Sequence, residues 1–197
     1  YRAGQRVWDG SLFCRLMGTL GGAAFLFLGL FMMVMLMAPH EKWNNIYGLM
    51  GVVALTGLFV VGSASRSRRK LELDAQGPYF TVYMAFICIA TVGSLSTHMS
   101  LRFFAFQLTA FLIVLLAVSS VRKYEQLQLM VSLAVVGLSV AALYGCYQGY
   151  IGVDIVPSQQ DMSVNAGMPG RVYSFFDNPN NFAEQLEMLL PLNLALF

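Results

Sequence analysis

The sequence predicts an all-α fold, a polytopic transmembrane helical bundle of about five complete spans plus the start of a sixth, with its N-terminus in the cytoplasm. Three observations carry that expectation. Of 197 residues, 57% are hydrophobic and only 11% are charged, whereas charged residues make up about 25% of an ordinary soluble domain. The apolar residues gather into long runs, several near the ~20 residues that a helix needs to cross a bilayer. The basic residues sit at the ends of these runs, and a formal net charge of only +2 gives no footing for nucleic acid.

The first element follows a basic collar of Arg2, Arg6 and Arg15, with Trp8 and Asp9 between them. The apolar run over 16–38 exceeds the core of about 7–15 residues expected of a cleavable signal sequence. It is long enough to span a bilayer with some tilt. After the turn Pro39, His40, Glu41, Lys42 and Trp43, a second span is expected over 46–64. Its glycines at 48, 51, 57 and 62 allow close helix approach. The basic cluster Arg66, Arg68, Arg69 and Lys70 that follows reads as a cytoplasmic topology signal.

Gly77 and Pro78 close that loop, and 79–95 is the third expected span. A turn holding Thr97, His98, Ser100 and Arg102 leads into the fourth, 103–121, and Arg122, Lys123 and Glu125 into the fifth, 127–148. The fifth ends in an interfacial belt of Tyr144, Tyr147 and Tyr150. Residues 149–181 make an extracytoplasmic loop, and 182–197 start a sixth helix. With the N-terminus inside, nine basic residues (2, 6, 15, 66, 68, 69, 70, 122 and 123) face the cytoplasm. Three (42, 102 and 171) face outward, which accounts for all 12. The chain reads as a single membrane domain over 1–197. It is expected to be an N-terminal fragment, because it opens at Tyr1 and stops at Phe197 within an apolar run. Cys14, Cys88 and Cys146 lie in or beside apolar segments without metal-ligand spacing and read as apolar filling.

The segment from Arg171 to Glu187, RVYSFFDNPNNFAEQLE, breaks the apolar pattern. Arg171 is the single cation of the 149–181 loop, and its planar guanidinium suits a bidentate grip on phosphate oxygens. Asp177, Asn178, Asn180 and Asn181 are all good N-cap residues and Pro179 suits the first helical position, so a helix is expected to begin between Asn178 and Phe182. Asn181 and Glu184 have capping-box spacing. The unpaired N–H groups of a helix start favour a bound anion beside the Arg. Against this stands a salt bridge from Arg171 to Asp177. For Asn178 and Asn180, turn shaping stands beside direct contact with sugar or phosphate. Glu184 and Glu187 share a helix face. Dipole stabilisation competes there with acid/base or acceptor-binding work. His98 reads as an interfacial turn residue and Arg102 as a snorkelling side chain that would otherwise add to a phosphate site. No P-loop, GxSxG, HExxH or zinc spacing occurs.

Arg171, Phe175, Asn178, Pro179, Asn180 and Ala183, followed by Leu189, Leu190, Pro191 and Leu192, resemble the opening motif of the O-antigen ligase and O-antigen polymerase family of bacterial membrane proteins. That resemblance implies a multipass protein of the bacterial cytoplasmic membrane that works in polysaccharide biosynthesis. It also implies a glycosyltransferase activity passing a glycan from a polyprenyl pyrophosphate carrier to a glycan or lipid acceptor on the outer face. Arg171 would then engage the pyrophosphate, with Asn178 and Asn180 beside it. The resemblance places the general base outside this chain and assigns no catalytic role to His98, Glu184 or Glu187. The donor carries its own leaving group, so no nucleotide, metal or other cofactor is called for. A lipid-linked glycan flippase or other transporter would use midplane residues in paired repeats, and a noncatalytic assembly protein would tolerate loss of Arg171.

Overall fold

The computed structural model describes residues 12–38, 45–64, 71–72, 77–155, 164, 167–176 and 178–196. Among them the regular structure is entirely helical. The helices are α1 (Leu12–Gly22), α2 (Ala24–Met37), α3 (Asn45–Gly62), α4 (Gly77–Val92), α5 (Thr97–Ser120), α6 (Tyr124–Ile151) and α7 (Pro179–Leu196). The basic clusters at 2–6 and 66–70 and the turn at 39–43 lie outside the described residues, as does Asp177.

By length and composition two helices, α5 and α6, suffice to cross a membrane. At 1.5 Å per residue they are about 36 Å and 42 Å long, against an apolar core of about 30 Å. The expected first span over 16–38 is not one straight helix. It breaks into α1 and α2, bent by 57°, and counts as a third candidate only if the pair is taken as one crossing. The break falls at Ala23, whose N–H is shared between the Thr19 and Leu20 carbonyls at 3.1 and 3.0 Å, directly after Gly21 and Gly22. Adjacent glycines weaken helix continuity because they restrict the backbone least. The expected spans at 46–64 and 79–95 correspond to α3 and α4, which are apolar but short. The five-span expectation therefore reduces to two or three helices that meet the length requirement. The third run ends sooner than its apolar length predicts: Gly93 to Ser96 form a turn and α5 begins already at Thr97.

Contacts divide the chain into two compact units, one comprising Tyr1–Leu28 with Asn45–Met130, the other Gly29–Asn44 with Val131–Phe197. The divisions fall inside α2 and inside α6.

In the first unit α1 packs on α3, α3 on α5 and α5 on α4. The α1–α3 crossing is set by Gly21 and Gly62: a Cβ on Gly21 would stand 2.7 Å from Gly62 Cα, and one on Gly62 2.6 Å from Gly21 Cα. Of the glycines expected to mediate packing, Gly62 does so, whereas Gly57 faces open space. Leu28, Val52, Phe59 and Leu116 are fully buried. α4 instead exposes Tyr79, Val82, Tyr83, Phe86, Ile89 and Val92. Such a continuous apolar face suits lipid as its solvent, and with the apolar α5 and α6 it marks a membrane protein. At one end of α5 the Ser119 hydroxyl accepts from the Glu72 N–H at 3.0 Å and donates to the Glu72 carbonyl at 3.2 Å. Arg122 pairs with the same Glu72 side chain at 3.3 Å.

In the second unit Gly137 lets α6 meet the backbone of α2, since a Cβ there would lie 2.7 Å from the Met33 carbonyl oxygen. The core of this unit is Ala141, Phe176 and Phe182, packed against Leu36, Val172, Phe175 and Leu186. It joins α6, the chain before α7 and the first turns of α7, and so fixes the segment that carries Arg171.

Candidate functional site

α6 ends at Ile151 because Gly152 turns to φ +83° and its N–H donates to the Gln148 carbonyl at 3.0 Å. This is a left-handed glycine cap. The chain returns at Gly170, which lies so close to Val153 and Asp154 that a Cβ would collide with the Val153 carbonyl oxygen and stand 2.7 Å from that of Asp154. Past Arg171, Val172 packs over Gly145 and Gly149 of α6.

A tight turn follows from Tyr173 to Phe176, closed by the Phe176 N–H donating to the Tyr173 carbonyl at 3.0 Å. Ser174 takes its first central position with φ +55°, a left-handed conformation that non-glycine residues seldom adopt. Three hydrogen bonds hold it there. The Ser174 N–H donates to Gln148 Oε1 at 2.7 Å, Gln148 Nε2 donates to the Ser174 carbonyl at 3.2 Å, and the Ser174 hydroxyl donates to the Ala141 carbonyl at 2.6 Å. Both side chains are buried, Ser174 at 3% and Gln148 at 7% exposure. Phe175 stacks on Tyr144 with centroids 4.5 Å apart and planes within 6°. Phe176 stacks on Phe182 at 5.8 Å.

α7 begins where the sequence expects. The Asn178 side-chain oxygen accepts from the Asn180 N–H at 2.8 Å, its carbonyl accepts from the Phe182 N–H at 3.2 Å, and Pro179 is the first helical residue. Asn178 is thus the N-cap. The Asn181–Glu184 capping box does not form as such, because Asn181 already lies inside the helix, three residues past the true cap. The first turn is also less open to an anion than expected. Pro179 has no N–H, and those of Asn180 and Phe182 are bonded to Asn178.

Arg171 is exposed, and its Nη2 donates to Asn180 Oδ1 at 2.7 Å. The structure therefore joins three of the expected site residues in one chain of hydrogen bonds, Arg171 to Asn180 to Asn178. That bond uses one of the five guanidinium donors. Glu184 and Glu187 lie farther along α7, both exposed. Arg102 and His98 belong to α5 in the other unit and are likewise exposed. Among the described residues no three His, Cys, Asp or Glu side chains come together.

Gln148, Ser174 and Gly170 are the residues that sequence reasoning missed. Gln148 reads as the last residue of an apolar span and Ser174 as one polar residue in a loop. The signal that could have raised them is the amide itself, since a Gln at the end of a membrane helix is worth a search for its hydrogen-bond partner.

No protein-family model, curated protein or solved structure matches this chain. The likeness to the O-antigen ligase and polymerase family accordingly rests on the residues between Arg171 and Leu192 themselves.

Proposed function

We propose that the chain is part of a membrane glycosyltransferase, O-antigen ligase-like or polymerase-like. It acts at the bacterial cytoplasmic membrane and takes a glycan from a polyprenyl pyrophosphate carrier to a glycan or lipid acceptor on the outer face. In this reading the N-terminus is cytoplasmic, and the chain between α6 and α7 and the start of α7 face outward. The observation that carries it is the 2.7 Å bond from Arg171 Nη2 to Asn180 Oδ1. It tethers an exposed guanidinium at the capped start of an apolar helix, within the motif that resembles the family.

In the reaction an acceptor hydroxyl attacks the anomeric carbon, forming the new glycosidic bond as its proton passes to a general base that the family resemblance places outside this chain. The bond from that carbon to the pyrophosphate oxygen breaks, and the electron pair departs with the leaving group. A fixed cation at that oxygen lowers the barrier by stabilising charge as it develops. Arg171 supplies this cation, and its fork spans two phosphate oxygens where a Lys offers a point charge. Asn180 holds the guanidinium, and Asn178 holds the backbone that carries Asn180.

The test is transfer from a polyprenyl pyrophosphate-linked glycan by the full-length protein in membranes. Arg171→Ala is expected to lower kcat/KM by about 100-fold or more, in the range found on removing one charge-stabilising donor, and Arg171→Lys to restore only part. Undiminished transfer by Arg171→Ala would sink the proposal. Movement of the lipid-linked glycan across the bilayer without its joining to an acceptor would indicate a transporter instead.

A further inference from the structure

We propose that Gln148 is a positioning residue for Arg171, the central member of a clamp that ties the backbone on both sides of the guanidinium to the end of α6. The clamp stands on geometry alone; its consequence for substrate rests on the pyrophosphate reading above. Arg171 lies between two points where the chain runs directly against the 145–154 segment. Before it, Gly170 is pressed against the carbonyls of Val153 and Asp154. After it, Val172 lies over Gly145 and Gly149, where a Cβ would stand 3.4 and 3.7 Å from its methyl groups. Three residues on, the Gln148 amide grips both backbone groups of Ser174, which would otherwise be left unpaired in a buried position.

This arrangement exceeds what closing a loop requires. Many loops end in a single backbone bond, whereas here one side-chain amide takes over the pairing of a whole residue and holds it at φ +55°. The Phe175–Tyr144 stack adds a second attachment to the same helix face. Catalysis by a fixed charge requires that the charge not relax when the substrate changes, and a displacement of about 1 Å can lower a rate about 100-fold. A helix end is a stiffer base for such a charge than the loop that bears it.

Two substitutions separate the parts of the clamp. Gln148→Glu keeps an acceptor for the Ser174 N–H and loses the donor to the Ser174 carbonyl, whereas Gln148→Leu loses both. With Cys14, Cys88 and Cys146 replaced by Ser, a nitroxide attached at Arg171→Cys reports the order of the segment in the full-length protein. Its spectrum is expected to be immobilised with Gln148, intermediate with Gln148→Glu and narrow-lined with Gln148→Leu. A spectrum unchanged by either substitution overturns the clamp, whatever the protein's activity.

In the transfer assay, with Arg171 present, Gln148→Glu is expected to lower kcat/KM for the polyprenyl pyrophosphate-linked glycan about tenfold and to add little further loss on top of Arg171→Ala. A loss as large in the Arg171→Ala background as with Arg171 present would mean that less of the protein is folded, and it overturns the positioning role. If the wild type transfers no glycan while the label loosens as expected, the enzymatic reading falls and the clamp stands.

Discussion

At Ser174 the chain adopts a conformation that side chains disfavour by about 1–2 kcal/mol, and the surrounding bonds keep it there. The hydroxyl bond to the Ala141 carbonyl is one of them, so Ser174→Ala should destabilise the protein by about 1–2 kcal/mol. Ser174→Gly loses the same bond and relieves the left-handed backbone, so it should be less damaging than Ala. Unfolding in mixed micelles would check the order, and a Gly variant weaker than Ala would contradict it. Asn178 offers a second test. Its removal in Asn178→Ala should destabilise the start of α7 by about 0.5–2 kcal/mol, seen as faster amide exchange at Asn180. Asn178→Asp keeps the acceptor and should protect that amide nearly as well.

Among the elements, the α1–α3 crossing shows how one residue type acts differently by position. Gly62 and Gly57 belong to the same apolar helix, yet only Gly62 meets another backbone, that of Gly21. Gly62→Ala should force the helices apart and destabilise by about 1–3 kcal/mol. Gly57→Ala should be neutral or stabilise by up to about 1 kcal/mol, because Ala is the better helix former and has open space to enter. Paired unfolding curves would decide between this and a general need for glycine in α3. α7 poses a different question for an element, since Pro191 lies inside it. A proline there has no N–H to offer the Glu187 carbonyl, so the hydrogen-bond ladder is interrupted at the residue bearing the second of the two exposed acids.

For the whole molecule the decisive property is orientation, which the distribution of basic residues implies and the proposed function requires. A Cys introduced at Met168, an exposed position beside Arg171, should react with a membrane-impermeant thiol reagent added to spheroplasts. One at Tyr124, also exposed, should react only after the membrane is opened. The reverse pattern would put the guanidinium on the wrong side for an outer-face reaction. The fold class was legible at this scale because composition and long apolar runs depend on the solvent alone. The number of membrane-crossing helices was not. Whether 16–38 is one span or two shorter helices depends on a bend at Ala23 and on where Gly21 meets another helix, and no run length records that.

The sequence by itself determined the helical class, the membrane character and the start of α7. Each follows from local chemistry: apolar length, backbone pairing within one helix, and the Asn-Pro-Asn preference for a cap and first turn. It also singled out Arg171, Asn178 and Asn180. Only the tertiary structure decided that these three are joined by hydrogen bonds, that Gln148 holds Ser174 across 26 positions of sequence, and that the segment carrying Arg171 is seated on α6. Such pairings depend on which backbone groups are left without partners once the helices have packed, and that is settled by proximity in space.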